Sequence, residues 1–281
     1  MTNNKAHTKT ATFIFTKIAS LFLLMIIYNN SFSNNEPPVF DFTFEIKAET
    51  DFFAVDQFSN IYWIENGALK KFINESQNII SYSDKKWGDI QLFDSSDPLH
   101  IIVLYKEFNK IVFLDGCLAP KKTKSNDKLL NEIRPTLICS SAQNGFWAYS
   151  PNTFKLYRIS EKFKIEVETD ALNQRFPELA NPFHMTESGD KLFISDQNSG
   201  IWVFDRFGNF MFLIPIKDVS YFQVKDNSIL YFNENQLGLY DFEQHFEEFF
   251  LLPDTNIVKG YIYGMTLYLL TSESIKQYKI K

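Results

Sequence analysis

The sequence predicts an all-β protein, a six-bladed β-propeller whose ring is closed by the N-terminal strand. A turn, strand, turn and strand at Asp56–Phe72 return in weaker form about every 40 residues, a period typical of propellers and solenoids. Helix-period patterns are almost absent, whereas short apolar or alternating runs bounded by turn residues recur along the chain. Phe40–Ile46 alternates apolar and polar residues and precedes the first repeat without belonging to it.

The N-terminal residues 1–33 have the three parts of a secretory signal peptide. Three lysines without an acidic residue precede the apolar stretch Ile18–Tyr28, and the small-residue pattern Ser31–Ser33 then predicts cleavage after Ser33. The alternative is an uncleaved anchor, but this stretch is well short of the roughly 20 residues that span a bilayer. We therefore expect export to the periplasm or an outer-membrane-associated location, with no integral membrane span after cleavage.

The mature chain, residues 34–281, is predicted to be a single acidic propeller domain. Residues 1–33 hold three of the 28 basic residues and none of the 34 acidic ones, which leaves a net charge of about −9. Nucleic acids and anionic lipid surfaces are bound mainly through basic residues. This composition argues against both as partners.

The repeats can be divided into units of three or four strands. The first unit is predicted at Phe52–Val55, Ile61–Ile64, Ala68–Phe72 and Asn78–Tyr82; the second at Asp89–Asp94, His100–Tyr105 and Lys110–Leu114; the third at Thr136–Cys139, Phe146–Tyr149, Phe154–Ile159 and Lys164–Glu168.

The second half of the chain continues the same order of turn and strand. The fourth unit is predicted at Phe183–Thr186, Lys191–Asp196, Ile201–Asp205 and Phe210–Ile216; the fifth at Ser220–Val224, Ser228–Phe232, Leu237–Phe242 and Glu247–Leu252; the sixth at Val258–Tyr263, Thr266–Thr271 and Ser274–Lys281. The sixth unit lacks an outer strand, which Phe40–Ile46 would supply and so close the ring. The alternative is a stray strand on the first blade.

Two insertions interrupt the repeat, and insertions in such arrays often carry binding residues. Residues 120–133 contain Lys121, Lys122 and Lys124 and end in an amphipathic stretch. Residues 170–179 place Leu172, Phe176 and Leu179 at helical spacing, with Asp170 as the predicted cap. Phe176 and the three lysines are the candidate interaction residues of the two insertions. The alternative is that both insertions are solvated loops lying over a blade edge.

Two further residues are candidates for contact with a partner or ligand. Trp87 precedes Gly88 outside the strand pattern, and an exposed Trp can anchor a partner or stack on a sugar. His184 begins a predicted inner strand, where it can face the central channel. Packing between blades is the alternative for Trp87, as it is for most of the 30 Phe and 13 Tyr residues.

No pattern in the sequence predicts an active site, so a non-enzymatic role is favoured. The histidines are isolated, and the motifs of zinc sites, serine nucleophiles and phosphate loops are absent. Carboxylates recur at strand ends, as expected for side chains that bind turn amides: Asp56, Asp94, Asp196, Asp205 and Asp241. Their alternative role is to bind a divalent cation such as calcium at one end of the channel. We otherwise expect no cofactor.

The chain has two cysteines, Cys117 and Cys139. In an exported protein they can form a disulfide that staples the insertion between them. Alternatively, Cys139 lies in an apolar strand and is a buried free thiol.

At Val55–Tyr62 and Gly200–Gly208 the chain resembles six-bladed propellers of the NHL and TolB-like group. It is also similar to exported, uncharacterised propeller proteins of Bacteroidetes-type bacteria. The resemblance covers nearly all of residues 40–281 and implies a propeller fold and an exported location. Some six-bladed relatives are metal-dependent lactonases, but their ligand set cannot be matched to residues of this chain.

The function expected from these observations is that of a periplasmic or cell-envelope protein-interaction module. Its partners would be envelope proteins bound by the rim and insertions, and the chain would be a monomer outside such a complex. Two alternatives remain: a metal-dependent, lactonase-like hydrolase or lyase at the channel mouth, and a glycan-binding propeller that uses Trp87 and rim tyrosines.

Overall fold

The structure, a computed structural model, describes residues 38–122, 126–179 and 181–281. The predicted signal peptide and Lys124 lie outside these residues. Phe40–Lys281 form one compact unit. Its described residues build six antiparallel sheets, five of four strands and one of three.

The sheets follow one another along the chain after the first strand, β1 (Phe40–Lys47). Blade one contains β2 (Phe53–Val55), β3 (Ile61–Glu65), β4 (Ala68–Ile73) and β5 (Asn78–Tyr82), and blade two contains β6 (Leu92–Asp94), β7 (Ile101–Tyr105) and β8 (Lys110–Leu114). Blade three contains β9 (Leu137–Ser141), β10 (Gly145–Ser150), β11 (Lys155–Ser160) and β12 (Ile165–Glu168).

The remaining blades have four strands each. Blade four contains β13 (Pro182–Ser188), β14 (Lys191–Asp196), β15 (Gly200–Asp205) and β16 (Phe210–Ile214), and blade five contains β17 (Phe222–Lys225), β18 (Ser228–Asn233), β19 (Gln236–Asp241) and β20 (Phe246–Leu251). Blade six contains β21 (Lys259–Tyr263), β22 (Thr266–Leu270) and β23 (Ser274–Ile280), with β1 as its outermost strand.

The blades form a ring because each sheet buries side chains on both faces. Along β7, Ile101 and Val103 pack towards blade one, whereas Ile102 and Leu104 pack towards blade three. Every pair of neighbouring blades shares such a core cluster, including blade six with blade one. Alternate residues of a strand point to opposite faces, so continuous apolar runs suit a strand buried on both sides. The predicted six-bladed propeller is confirmed.

The N-terminal strand closes the ring. β1 pairs antiparallel with β23, with Phe40 opposite Ile280 and Ile46 opposite Ile275. The Thr43 hydroxyl donates to the Gln277 backbone oxygen at 2.9 Å. Ile46 is buried in the cluster shared by blades six and one. The prediction that this strand completes the last blade, rather than lying stray on the first, is confirmed.

Blade two lacks a regular fourth strand, and the first insertion covers its outer edge. Only an isolated bridge from Leu114 to Pro120 extends the sheet beyond β8 within the described residues. The helix α1 (Asp127–Ile133) then buries Leu130 and Ile133 in the cluster between blades two and three. Asn126 caps this helix by accepting from the Leu129 amide at 3.2 Å.

The second insertion also packs onto the ring, between blades three and four. Its helix α2 (Leu172–Arg175) is a single turn, and Ala171 stands at its N-cap without a side-chain bond, so the prediction of an Asp170 cap was wrong. Leu172 and Leu179 are buried in the core. The helical spacing of Leu172, Phe176 and Leu179 therefore reflected burial of one side of this segment and not a long helix.

The two cysteines are free: Cys117 is exposed and Cys139 is buried, so the disulfide alternative was wrong. Burial raises the pKa of the Cys139 thiol well above its usual value. Within the described ranges, none of the helices has the length and apolar character that crossing a bilayer requires.

Candidate functional site

All six blades contribute to a central channel. Its wall is formed largely by the first strand of each blade, and it encloses a cavity of about 180 Å³. Apolar side chains cover much of the wall, among them Ala54, Leu92, Ile138, Met185 and Val224. Polar side chains line the rest of the wall, among them Asp94, Ser95 and Glu187.

Aromatic rings gather at one end of this channel. Tyr221 contacts Phe52, Phe183 and His184, with ring centroids 4.9, 5.2 and 5.4 Å apart. These residues lie at or just before the starts of β2, β13 and β17. Their contact shows that the inner strands run in the same direction along the channel, so strand starts meet at one end and strand ends at the other.

Lys259 is buried within this aromatic cluster at the start of β21. Its Nζ donates to the Phe53 backbone oxygen at 2.7 Å and lies 3.4 Å from the centroid of the Phe52 ring and 4.6 Å from that of Tyr221. Burial lowers the pKa of Lys259 well below its usual value. The Lys259 ammonium is therefore held by the faces of aromatic rings and by one carbonyl oxygen.

His184 lies beside Lys259 and lines the same cavity. Burial, with the positive charge of Lys259 as a second cause, lowers the pKa of His184 to about 3. The imidazole is therefore neutral at physiological pH. It can donate or accept one hydrogen bond to a ligand, but it does not carry a charge there.

The opposite end of the channel carries carboxylates that already have hydrogen-bond partners. Asp94 accepts from the Ser96 amide at 3.0 Å and from the Ser140 hydroxyl at 2.8 Å. Glu187 accepts from the Trp147 indole nitrogen at 2.6 Å. The Oγ of Ser95, next to Asp94, is buried and has no partner in the described residues.

The predicted turn-binding role of the strand-end carboxylates is confirmed. Asp56 accepts from the amides of Phe58 and Asn60 at 2.8 and 3.0 Å, and Asp205 accepts from those of Phe207 and Asn209 at 2.8 and 2.9 Å. The other three bind turn amides in the same manner: Asp94, Asp196 and Asp241. No group of three metal-ligating side chains comes together in the part of the chain that the structure describes.

The other predicted candidate residues are spread over the surface of the ring. Trp87 ends a 3₁₀ helix (Lys85–Trp87), half-buried, with the ammonium groups of Lys86 and Lys110 lying 4.7 and 4.9 Å from its ring. Lys121 pairs through its backbone with Phe113, and Lys122 is exposed.

Phe176 is not an exposed anchor for a partner, because its ring packs against the protein. Its centroid lies 5.1 Å from that of Trp202 and 4.7 Å from that of Phe210. The structure does not bring Trp87, His184, Phe176 and the lysine insertion together into one site. Their roles in binding stay predictions.

Sequence reasoning missed Lys259, Tyr221 and Phe52. Lys259 falls within the predicted inner strand Val258–Tyr263, so a lysine inside an otherwise apolar and aromatic strand was the available signal. The Phe53 oxygen that receives its hydrogen bond is 206 residues away in the chain. Only closure of the ring brings the two together.

A second candidate surface lies on the outer strands of blades four and five. We define the apolar rim as the exposed side chains Met211 and Leu213 of β16 and Phe246, Phe249 and Leu251 of β20. Leu251 is 68% exposed, and Phe246 and Phe249 are each about half exposed. β16 and β20 are edge strands of their sheets, and neither contains Lys, Arg or Pro. Charged residues and Pro usually protect an edge from pairing with another chain, and of these β20 contains only Glu247 and Glu248.

No protein-family model matches the chain, and no curated protein matches it. Virginiamycin B lyase from Staphylococcus aureus is structurally similar, with a TM-score of 0.55, 14% identity, and coverage of 81% of this chain and 79% of that chain. A streptogramin B lyase structure gives a TM-score of 0.55 at 15% identity, covering 82% of this chain and 78% of that chain.

A chain of the mitotic checkpoint complex gives a TM-score of 0.62 at 8% identity, covering 89% of this chain and 94% of that chain. Identities this low carry information about architecture and not about activity. The likeness to the NHL and TolB-like group stays a prediction from the sequence. What the comparisons and the sheet topology establish together is that this chain is a six-bladed β-propeller.

Proposed function

We propose that this protein is an exported, non-enzymatic β-propeller that binds another envelope protein through the apolar rim. The observation that carries the proposal is β20, the outer strand of blade five. One side of β20 pairs with β19, and no strand of the described chain pairs with the other side of β20. Such an edge is a template for an extended segment of a partner, which adds one more strand by main-chain hydrogen bonds.

The side chains of β20 define the partner's chemistry. Phe249 and Leu251 share one face of the strand with Glu247, and Phe246 lies on the other face with Glu248. A partner strand beside β20 would therefore meet apolar side chains and carboxylates in alternation along each face. We infer that it is an extended segment with apolar residues and Lys or Arg, since opposite charges on neighbouring strands stabilise a pair.

The location forms the second part of the proposal. Its support is the tripartite pattern of residues 1–33 and the resemblance of the sequence to exported propeller proteins of Bacteroidetes-type bacteria. Fractionation of cells that express the full chain tests it. We expect the mature protein in the periplasmic or outer-membrane fraction, with an N-terminus that follows Ser33. A cytosolic protein that retains its N-terminal residues would refute export.

The partner surface is tested by photo-crosslinking in the native host. A photoreactive phenylalanine analogue replaces Phe249 in one variant and Ile79 in the matched control. Ile79 lies on β5, the outer strand of blade one, and is 53% exposed. We expect a discrete crosslinked protein from position 249 and none from position 79. The crosslinked partner segment, identified by mass spectrometry, should contain basic and apolar residues.

Two outcomes contradict the rim as the binding surface. Equal crosslinking at both positions would mean non-specific contact. A product of twice the mass of the chain would mean that the rim pairs with a second copy instead of a partner. To confirm that binding depends on the edge, Leu251→Asp should abolish the crosslink at position 249, while Ile79→Asp should leave it intact.

The lyase-like structural neighbours raise an enzymatic alternative, a metal-dependent hydrolase or lyase. The strand-end carboxylates bind turn amides, and Asp94 and Glu187, which line the channel, already accept hydrogen bonds from Ser140 and Trp147. Metal analysis of the purified protein separates the two functions. Stoichiometric calcium or zinc, with a lower melting temperature after chelation, would count against the non-enzymatic proposal.

A further inference from the structure

We propose that the central channel binds a small organic monocarboxylate, with Lys259 as the residue that receives the carboxylate group. This site is separate from the apolar rim and does not depend on the proposed protein-binding function. It rests on three features: a buried lysine without a counter-charge, a cavity of defined size beside it, and an unpartnered hydroxyl that lines the same cavity.

The first feature is the unpaired charge. No carboxylate of the described chain forms an ion pair with Lys259, and its surroundings are the Phe53 carbonyl oxygen and the rings of Phe52 and Tyr221. Other lysines of the ring differ. Lys276 contacts Asp254 at 2.5 Å, and Lys71 interacts electrostatically with the carboxylate of Asp56. A buried ammonium without an anion is destabilising, and a bound carboxylate would offset that cost.

The ammonium of Lys259 retains capacity to bind such a ligand. It has three N–H donors, and the Phe53 oxygen takes one of them. Its neighbours in the aromatic cluster, His184 and Tyr221, carry no negative charge at neutral pH: the pKa of His184 is lowered to about 3, and burial, with the charge of Asp51 as a second cause, raises that of Tyr221 to about 12. The aromatic cluster itself therefore contains no negative charge, and the carboxylate that acts on it is that of Asp51, the residue before Phe52.

The second feature limits the ligand's size. The cavity of about 180 Å³ is slightly larger than the ~150 Å³ apolar cavities that hold benzene. Its wall residues Leu92, Ile138 and Val224 suit an aromatic ring or a short branched chain. The ligand class is therefore a monocarboxylate of about the size of benzoate.

The third feature is Ser95. It is 2% exposed, lines the cavity, and its Oγ has no hydrogen-bond partner within the described residues. Since buried polar groups are nearly always paired, an unpaired one in a cavity indicates a missing ligand or water. Ser95 follows the end of β6 and Lys259 begins β21, so the two groups lie towards opposite ends of the channel. A carboxylate with a hydroxyl at its far end satisfies both.

The test is calorimetric titration of the mature chain with 4-hydroxybenzoate and, as a matched probe, its neutral analogue 4-hydroxybenzamide. We expect the acid to bind roughly tenfold or more tightly than the amide, because only the acid supplies the counter-charge.

Variants locate the site. Lys259→Met, of similar length, should remove the preference for the acid, and Ser95→Ala should weaken binding of both probes. Lys279→Met, at an exposed lysine of β23 outside the channel, should change nothing. The comparison of acid with amide uses the unmodified protein, so it stands even if a variant fails to fold. Equal affinity for the two probes, no binding of the acid at millimolar concentration, or full binding by a folded Lys259→Met protein would overturn the proposal.

Discussion

At the residue scale, the buried Lys259 should make the stability of the free protein depend on pH. Its pKa is far lower in the folded protein than in the unfolded chain, where it is about 10.4. Between these two values the unfolded chain binds more protons, so stability rises with pH and falls as pH decreases towards the folded pKa. The slope from this one group approaches about 1.4 kcal/mol per pH unit.

Chemical denaturation between pH 7 and 10 measures this slope. Lys259→Met should lack the contribution, so the difference in unfolding free energy between wild type and variant should change with pH. The tyrosines that also titrate at high pH are common to both proteins and cancel in the difference. Parallel curves would show that Lys259 keeps an ordinary pKa in the folded protein.

Asp56 and Asp205 bind the amides of equivalent turns, and the turn of Asp56 is the more deeply buried of the two. Asp56 is 2% exposed, and besides two turn amides it accepts from the Asn60 side chain at 2.8 Å and the Tyr62 hydroxyl at 2.7 Å. Asp56→Ala would leave these buried donors unpaired. We expect a loss of about 3 kcal/mol or more in unfolding free energy.

The matched control is Asp205→Ala. Asp205 binds the equivalent amides of Phe207 and Asn209 near the surface, where water can replace the lost acceptor. Its loss should cost about 1 kcal/mol. Equal losses in thermal or chemical denaturation would mean that burial of the Asp56 network adds nothing to the turn itself.

At the element scale, α1 takes over part of the role of the strand that blade two lacks. Leu130 is fully buried against blades two and three, and its neighbour Leu129 is only half-buried. Leu130→Ala should therefore lower the unfolding free energy by about 2–5 kcal/mol, the range for a buried leucine. Leu129→Ala should cost clearly less. Similar values for both would show that the helix packs loosely on the blade and does not seal it.

Sequence patterns predicted the strands and turns of this propeller but not the residues of its channel site. Strands and turns follow from local chemistry: Asp56 and Asn60 specify a turn within a few residues, and alternating side chains specify a strand. The Asp170 cap was wrong because packing on blades three and four, not local propensity, decides that segment.

The channel site could not be predicted because its parts are distant in the sequence. Phe52, His184, Tyr221 and Lys259 come from four different blades and meet only when the ring closes. Each residue alone is unremarkable as part of a strand. Burial of Lys259, which gives the cluster its chemistry, is a property of the assembled ring rather than of β21.

At the scale of the whole molecule, ring closure by β1 should decide whether the propeller is stable. β1 pairs with β23 along its length and places Ile46 in the core between blades six and one. Removal of residues 1–47 would uncover the edge of β23 and open that interface. We expect loss of a large part of the about 5–15 kcal/mol typical of a folded domain, or an insoluble product. The reference for this comparison is the predicted mature chain, residues 34–281.

A circular permutant separates closure from the mere presence of the strand's residues. Because Phe40 lies opposite Ile280, a short turn can join Lys281 to Val39, and new termini can be opened between Lys47 and Phe53. β1 then follows β23 as an ordinary hairpin in the same sheet. This permutant should unfold in one cooperative transition close to that of the wild type, whereas the 1–47 truncation should not. A truncation as stable as the permutant would mean that the six interblade cores hold the ring without β1, and that its pairing only covers an edge.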